Sequence, residues 1–170
     1  ITMDQARFIE FTVEAVKDNL LIGAGLAVLV LLLFLRDLRT TLVISVSIPF
    51  SVIATIALMY FGKLTLNVMT LGGLALGVGM LVDNSIVVIE NIYRHTLDGE
   101  DPKTAAEAGS REVGMAIAAS TLTTVVVFLP VVYVGGVTGI IFKELALTVT
   151  FSLLASLVVA LTVVPLLASR

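Results

Sequence analysis

Leu71-Gly72-Gly73-Leu74-Ala75-Leu76-Gly77-Val78-Gly79-Met80-Leu81-Val82-Asp83-Asn84-Ser85-Ile86-Val87-Val88-Ile89 decides the fold of this chain. It is the centre of a run from Leu64 to Ile92 that is almost wholly apolar around one acid, Asp83. A helix needs about twenty residues to cross ~30 Å of hydrocarbon, and this run exceeds that length. An ionised carboxylate at bilayer depth costs at least ~2.5 to 3.5 kcal/mol, so an acid placed there is paired, protonated or part of an ion pathway. Asp83 is therefore the candidate functional residue; the plainer alternative is a structural hydrogen bond between helices.

Composition agrees with a membrane setting. Hydrophobic residues make up 58% of the chain and charged residues 14%, against roughly 25% charged in soluble domains; the mean hydropathy is +1.12. The net charge is −3 and the ten basic residues are scattered, which argues against a nucleic-acid partner. The absence of cysteine excludes disulfides, thiolate metal sites and a cysteine nucleophile. The single histidine, His95, lies between Arg94 and Thr96 in a polar stretch and reads as a solvated loop residue, since no second His or Cys stands near it to share a metal. Neither an enzyme nor a metal or organic cofactor is expected.

Five apolar spans are expected, at about 20–35, 42–61, 66–92, 113–134 and 140–167. None shows the period-two alternation of a barrel strand, and backbone polar groups in lipid must be satisfied internally, so the spans are helices. The fold class is an all-α membrane protein, a five-transmembrane-helix bundle forming one membrane domain over residues 1–170. Residues 4–18 read as an amphipathic lead-in. Asp101-Pro102 marks a helix start, predicting a cytoplasmic helix over about 102–111. Arg36, Arg39, Arg94, Lys103 and Arg111 fall on one side of the membrane and only Lys63 and Lys143 on the other, so the Arg94 side is assigned to the cytoplasm. The opening Ile1-Thr2-Met3 and the odd number of spans suggest a piece of a larger polypeptide.

In the third span, steps of three or four residues back from Asp83 meet Gly79, Ala75 and Gly72. Small residues there allow a second helix to pack closely against the acid. Asn84 points about a hundred degrees away and is expected to bond a different neighbour. Glu90 is four residues before Arg94, an order in which the pair supports a helix. Thr121, Thr123 and Thr124, with Thr148, Thr150, Ser152 and Ser156, offer hydroxyls for a water path or for bonds to their own helix carbonyls. Pro130 and Pro165 should kink or end their helices, and residues 135–139, Gly-Gly-Val-Thr-Gly, read as an external turn.

The stretch from Gly77 to Asn91 resembles the fourth transmembrane helix of resistance-nodulation-division exporters, whose pattern is Val-Asp-Asp-Ala-Ile-Val-Val-Val-Glu-Asn. The likeness extends through Phe34-Leu35-Arg36-Asp37-Leu38-Arg39, Phe128-Leu129-Pro130 and the glycine-rich turn, and it is strongest to the hydrophobe and amphiphile multidrug branch, in particular Gram-positive surfactant and drug exporters. The resemblance implies transmembrane helices two to six of the first half, in a bacterial plasma membrane. It also implies that Asp83 binds the coupling proton and pairs with a lysine on a helix of the second half, as partner. One departure stands out: Asn84 replaces the second aspartate, leaving one titratable carboxylate. The implied function is proton-driven export of drugs or amphiphiles, with Asp83 as proton-binding residue, Asn84, Thr121 and Thr124 as supporting polar groups, and Gly72, Ala75 and Gly79 as the close-packing face. By itself the chain should be inactive, and a homodimer could bury Asp83. A non-transporting helical scaffold and a sodium-coupled exporter remain as alternatives.

Overall fold

The computed structural model describes residues 37–170 together with scattered positions between 14 and 33. The lead-in and the first expected span lie, in whole or in part, outside the described residues. From Asp37 onward the regular elements are α-helices: α1 Leu38–Phe61, α2 Val68–Leu97, α3 Pro102–Val132 and α4 Gly136–Ala168. All four are long and apolar enough to cross a membrane. The all-α membrane bundle is thus the fold.

Local chemistry sets the helix ends. Asn67 caps α2: its side-chain oxygen accepts from the amides of Met69 and Thr70, and Thr70 Oγ1 accepts in turn from the Asn67 amide at 2.8 Å. This reciprocal arrangement satisfies donors that a helix start otherwise leaves free. α1 ends in a turn where the Leu64 amide reaches the Met59 carbonyl and the Lys63 amide reaches that of Tyr60. Lys63 takes the left-handed conformation there, at φ 54°, a place where glycine is the usual residue. Asp101 caps α3 ahead of Pro102, accepting from Lys103 and Thr104. Those bonds, the Thr104 hydroxyl foremost, hold the Asp101 carboxyl below its ordinary pKa.

One expected junction is continuous, and two boundaries differ from those expected. The 102–111 helix, expected to feed the 113–134 span, runs into it without a break as α3, because no proline stands between Glu112 and Leu129 and the one glycine there, Gly114, is tolerated by a helix. α2 runs on to Leu97, past the apolar run, because helix formation continues until Gly99, at φ 94°, turns the chain. The external turn is shorter than 135–139: α4 already begins at Gly136. Pro130 lies in the last turn of α3, which stops two residues later, and Pro165 lies inside α4.

α2 and α4 form the central pair and each also packs on α1 and α3; among the described residues, α1 and α3 do not meet. The central pair approaches closely. A Cβ at Gly73 would lie 2.9 Å from the Leu145 carbonyl oxygen and 3.0 Å from Thr148 Cβ, and one at Gly77 would overlap Ser152. Two apolar clusters result. Val43, Ile44, Val88, Ile89, Ile92, Ile117 and Val164 centre the one toward the Arg94 end, and Val125, Val149 and Leu153 centre the other.

Candidate functional site

Asp83 stands fifteen residues after Val68 and fourteen before Leu97, so about 20 Å of helix separates it from either end of α2. It lies on the exposed side of the bundle. Among the described residues it has no hydrogen bond or ion pair. Ala75, Leu76, Gly79 and Val87 are exposed with it, so this face of α2 is uncovered among the described residues.

Asn84 turns inward. Its side-chain amide donates to Thr121 Oγ1 on α3 at 3.2 Å and to Ser156 Oγ on α4 at 3.4 Å. Next to it, Ser85 Oγ accepts from Ser47 Oγ on α1 at 3.2 Å, and Ser47 also bonds the Ile44 carbonyl at 2.7 Å. These side chains are buried or half-buried. Each of the four helices thus contributes to one polar layer at the level of Asp83. Buried polar groups are costly unless bonded, so this layer fixes the rotation of α2 as well as its height. With Asn84 held inward, Asp83 must face about a hundred degrees away.

The two residues expected to support Asp83 through hydroxyls separate. Thr121 joins the Asn84 layer, whereas the Thr124 hydroxyl bonds its own helix at the Ser120 carbonyl, 3.1 Å away. Neither bonds Asp83. Thr123, Thr148 and Thr150 likewise bond carbonyls four residues back. Among the described residues, close helix packing falls on a different face of α2 from the one that carries Gly72, Ala75 and Gly79. No described atom comes within 4 Å of a Cβ built at Gly72 or Gly79, and Ala75 is exposed; the contacts are made by Gly73 and Gly77. That second stripe was legible as Gly73, Gly77, Asn84 and Val88, spaced four, seven and four residues apart on one helical face. It matches Thr148, Ser152 and Ser156, four apart on α4. The close contacts between described helices thus lie on the Gly73 and Gly77 face, and not on the face of Gly72, Ala75 and Gly79.

A family model described as the AcrB/AcrD/AcrF family matches residues 1–170. The chain belongs to that family. Among its relatives, the swarming motility protein SwrC of Bacillus subtilis is 42% identical over 170 residues, and the multidrug resistance protein MdtC of Escherichia coli K12 is 40% identical over 167. MdtC of Klebsiella pneumoniae is 41% identical over 167 residues. Each match covers 98% of this chain and 16% of the relative. The resistance-nodulation-division assignment drawn from Gly77 to Asn91 therefore holds, and the chain is a multi-pass membrane part of such a protein.

At the Arg94 end, this AcrB/AcrD/AcrF family member carries a second polar cluster. Glu112 on α3 accepts from Arg94 through both oxygens at 3.0 Å, from Asn91 at 3.0 Å and from His95 Nε2 at 3.0 Å. Asn91 also donates to the Gly109 carbonyl at 2.8 Å. Glu112 is pulled down to about 2 by those donors, Asn91 first, then His95 and Arg94. Two expectations are corrected here. Arg94 pairs across the hairpin with Glu112, not with Glu90, because Glu112 offers both oxygens to one guanidinium nitrogen. His95 is not in a solvated loop: it belongs to α2, its side chain is 19% exposed, and its Nδ1 lies 3.0 Å from Glu100 Oε1. Both surprises have one cause. α2 and α3 extend beyond the apolar run and meet at Gly109, where a Cβ would lie 2.8 Å from Ile92 Cα.

Proposed function

We propose that this chain is the proton-translocating membrane part of a proton-driven exporter of drugs or amphiphiles in the bacterial plasma membrane, with Asp83 as the proton-binding group. The observation that carries this is a carboxylate midway along a membrane-length helix, facing outward, with no partner among the described residues. A scaffold acid would be satisfied by a fixed contact within the bundle; in this chain Asn84 plays that part and Asp83 does not. Sodium coupling would call for hydroxyl ligands around Asp83, whereas Thr121 and Thr124 bond elsewhere.

The names of MdtC and SwrC, a multidrug resistance and a swarming motility protein, fit export of amphiphilic or drug-like molecules. The uncovered face of α2 fits docking of the second-half helices of the parent exporter, with Gly72, Ala75 and Gly79 admitting a close neighbour and a cation facing Asp83. Without that neighbour the chain is inactive as a transporter, and an isolated copy would cover the same face by pairing with another. Protonation from outside neutralises Asp83 and releases its ion pair; proton loss to the cytoplasm restores it. The test is substrate-coupled proton flux by the parent exporter carrying Asp83→Asn in proteoliposomes. Flux should fall to background with normal insertion, and retention of most of it would remove Asp83 as the carrier. Cysteines at Thr96 and Asp98 should label only from the cytoplasm and one at Gly62 only from outside; the reverse would invert the direction of transport across α2.

A further inference from the structure

The cluster at the Arg94 end lies outside the Asp83 site, and its geometry constrains the proton on His95. Both ring nitrogens face carboxylate oxygens, Nδ1 toward Glu100 in the α2–α3 turn and Nε2 toward Glu112 on α3, each at 3.0 Å. An ionised carboxylate only accepts, so both nitrogens are donors and the ring is the imidazolium. Charge balances in that state: His95 and Arg94 against Glu100 and Glu112. From α1 and α4, no charged side chain bonds His95 among the described residues. We infer that His95 is a protonation-dependent strap that closes the α2–α3 hairpin on the side of the membrane carrying Arg94.

The two arms are unequal. Glu100 has no side-chain donor other than His95, and its second oxygen is buried without a partner among the described residues. Glu112 keeps Arg94 and Asn91 whatever His95 does. A neutral ring has one N–H left, and Glu100 needs it more, so the proton stays on Nδ1. The Nε2 lone pair then faces the Glu112 oxygen. That is the link crossing from α2 to α3, and it turns from a charge-assisted bond into a repulsion. Loss of one proton therefore loosens the turn end of the hairpin while Arg94 and Asn91 still hold it farther in.

Titration follows the same geometry. The hydrogen bonds to Glu112 and Glu100 raise the His95 pKa above its ordinary 6.5, so the strap is fully present below that value and is lost as pH rises through the raised one. Glu112 is depressed from 4.5 to about 2, so its contribution is present above 4.5 and fails only as pH falls toward 2. The strap opens on the alkaline side. The inference does not rest on Asp83 carrying the proton.

Hydrogen exchange of residues 96–108 in the full parent protein, reconstituted in lipid, tests it when each rate is divided by the intrinsic rate at that pH. Protection should fall about threefold or more between pH ~6 and pH ~9, across the range where a histidine with raised pKa titrates. His95→Gln should show the low protection at every pH. Glu100→Gln, which removes one facing charge, should move the midpoint to lower pH and keeps the test alive if His95→Gln fails to fold. A flat wild-type profile, a pH-dependent fall that persists in His95→Gln, or an unmoved midpoint in Glu100→Gln would each overturn the strap.

Discussion

The two faces of α2 are built for opposite ends. Gly73, Gly77, Asn84, Ser85 and Val88 are closed against α1, α3 and α4, with every side chain on that stripe buried or half-buried. Gly72, Ala75, Leu76, Gly79, Asp83 and Val87 run up the other side, where most are exposed and a Cβ added at Gly72 or Gly79 would meet no described atom within 4 Å. Both stripes are rich in small residues; the closed one holds two neutral polar side chains, Asn84 and Ser85, and the open one holds the carboxylate of Asp83. Only contact tells them apart. Glycine on the closed face removes bulk so that α4 can approach; glycine on the open face leaves room that no described residue fills. The adjacent pair Asp83 and Asn84 shows the same division in two residues, a neutral amide fixed between hydroxyls and a carboxylate left to something outside.

The contrast breaks most visibly at the glycines. Gly77→Val drives a branched side chain into Ser152, and overpacking of that kind costs roughly 1 to 3 kcal/mol or more; the variant should lose most of its folded yield, measured by monodisperse recovery from detergent. A Cβ at Gly79 meets no described atom, so Gly79→Val in this 170-residue chain should insert and fold like the unsubstituted chain. Equal losses in the two variants would mean the faces are not distinct. Asn84→Ala comes next. It removes two bonds from Thr121 and Ser156 and leaves buried hydroxyls, at a cost of about 0.6 to 2 kcal/mol, visible as a lower thermal midpoint, whereas Asp83→Asn should leave that midpoint unchanged or higher. A larger stability loss at Asp83 would reverse the assignment of roles. The smallest effect is sharpest in sign. Ser152 Oγ is buried with no bond partner among the described residues, so Ser152→Ala should be neutral or stabilising by up to about 1 kcal/mol; clear destabilisation would show that the hydroxyl is bonded after all.

Much of this architecture could be read from the residues, and the limits have physical causes. Length and hydropathy marked the spans, and the Asp101-Pro102 and Pro130 signals placed ends of α3 within a residue or two. Asp83 stood out because an acid in an apolar run is costly wherever it faces. Which stripe packs inside the chain was harder. Gly72, Gly73, Gly77 and Gly79 are equivalent as letters, and the deciding information is the matching Thr148-Ser152-Ser156 spacing on a helix some seventy residues away. His95 was misjudged for a similar reason: its partners, Glu100 and Glu112, reach it only because α2 and α3 continue as helices beyond the membrane run, and local polarity resembles a loop. Nothing in the sequence marks Ser47 and Ser85 as a pair, since an isolated serine in a membrane helix usually bonds its own backbone.

The central claim is that the open-face carboxylate takes up and releases a proton while its inward neighbour does not. Infrared difference spectroscopy of the parent exporter in lipid, recorded across a pH titration, reads this directly through the C=O stretch of a protonated carboxylic acid. A titrating band should be present in the unmodified protein and in Glu90→Gln and Asn84→Ala, and absent in Asp83→Asn. A band that survives Asp83→Asn unchanged would contradict the account, because the proton would then reside on another acid and the uncovered face of α2 would serve docking alone.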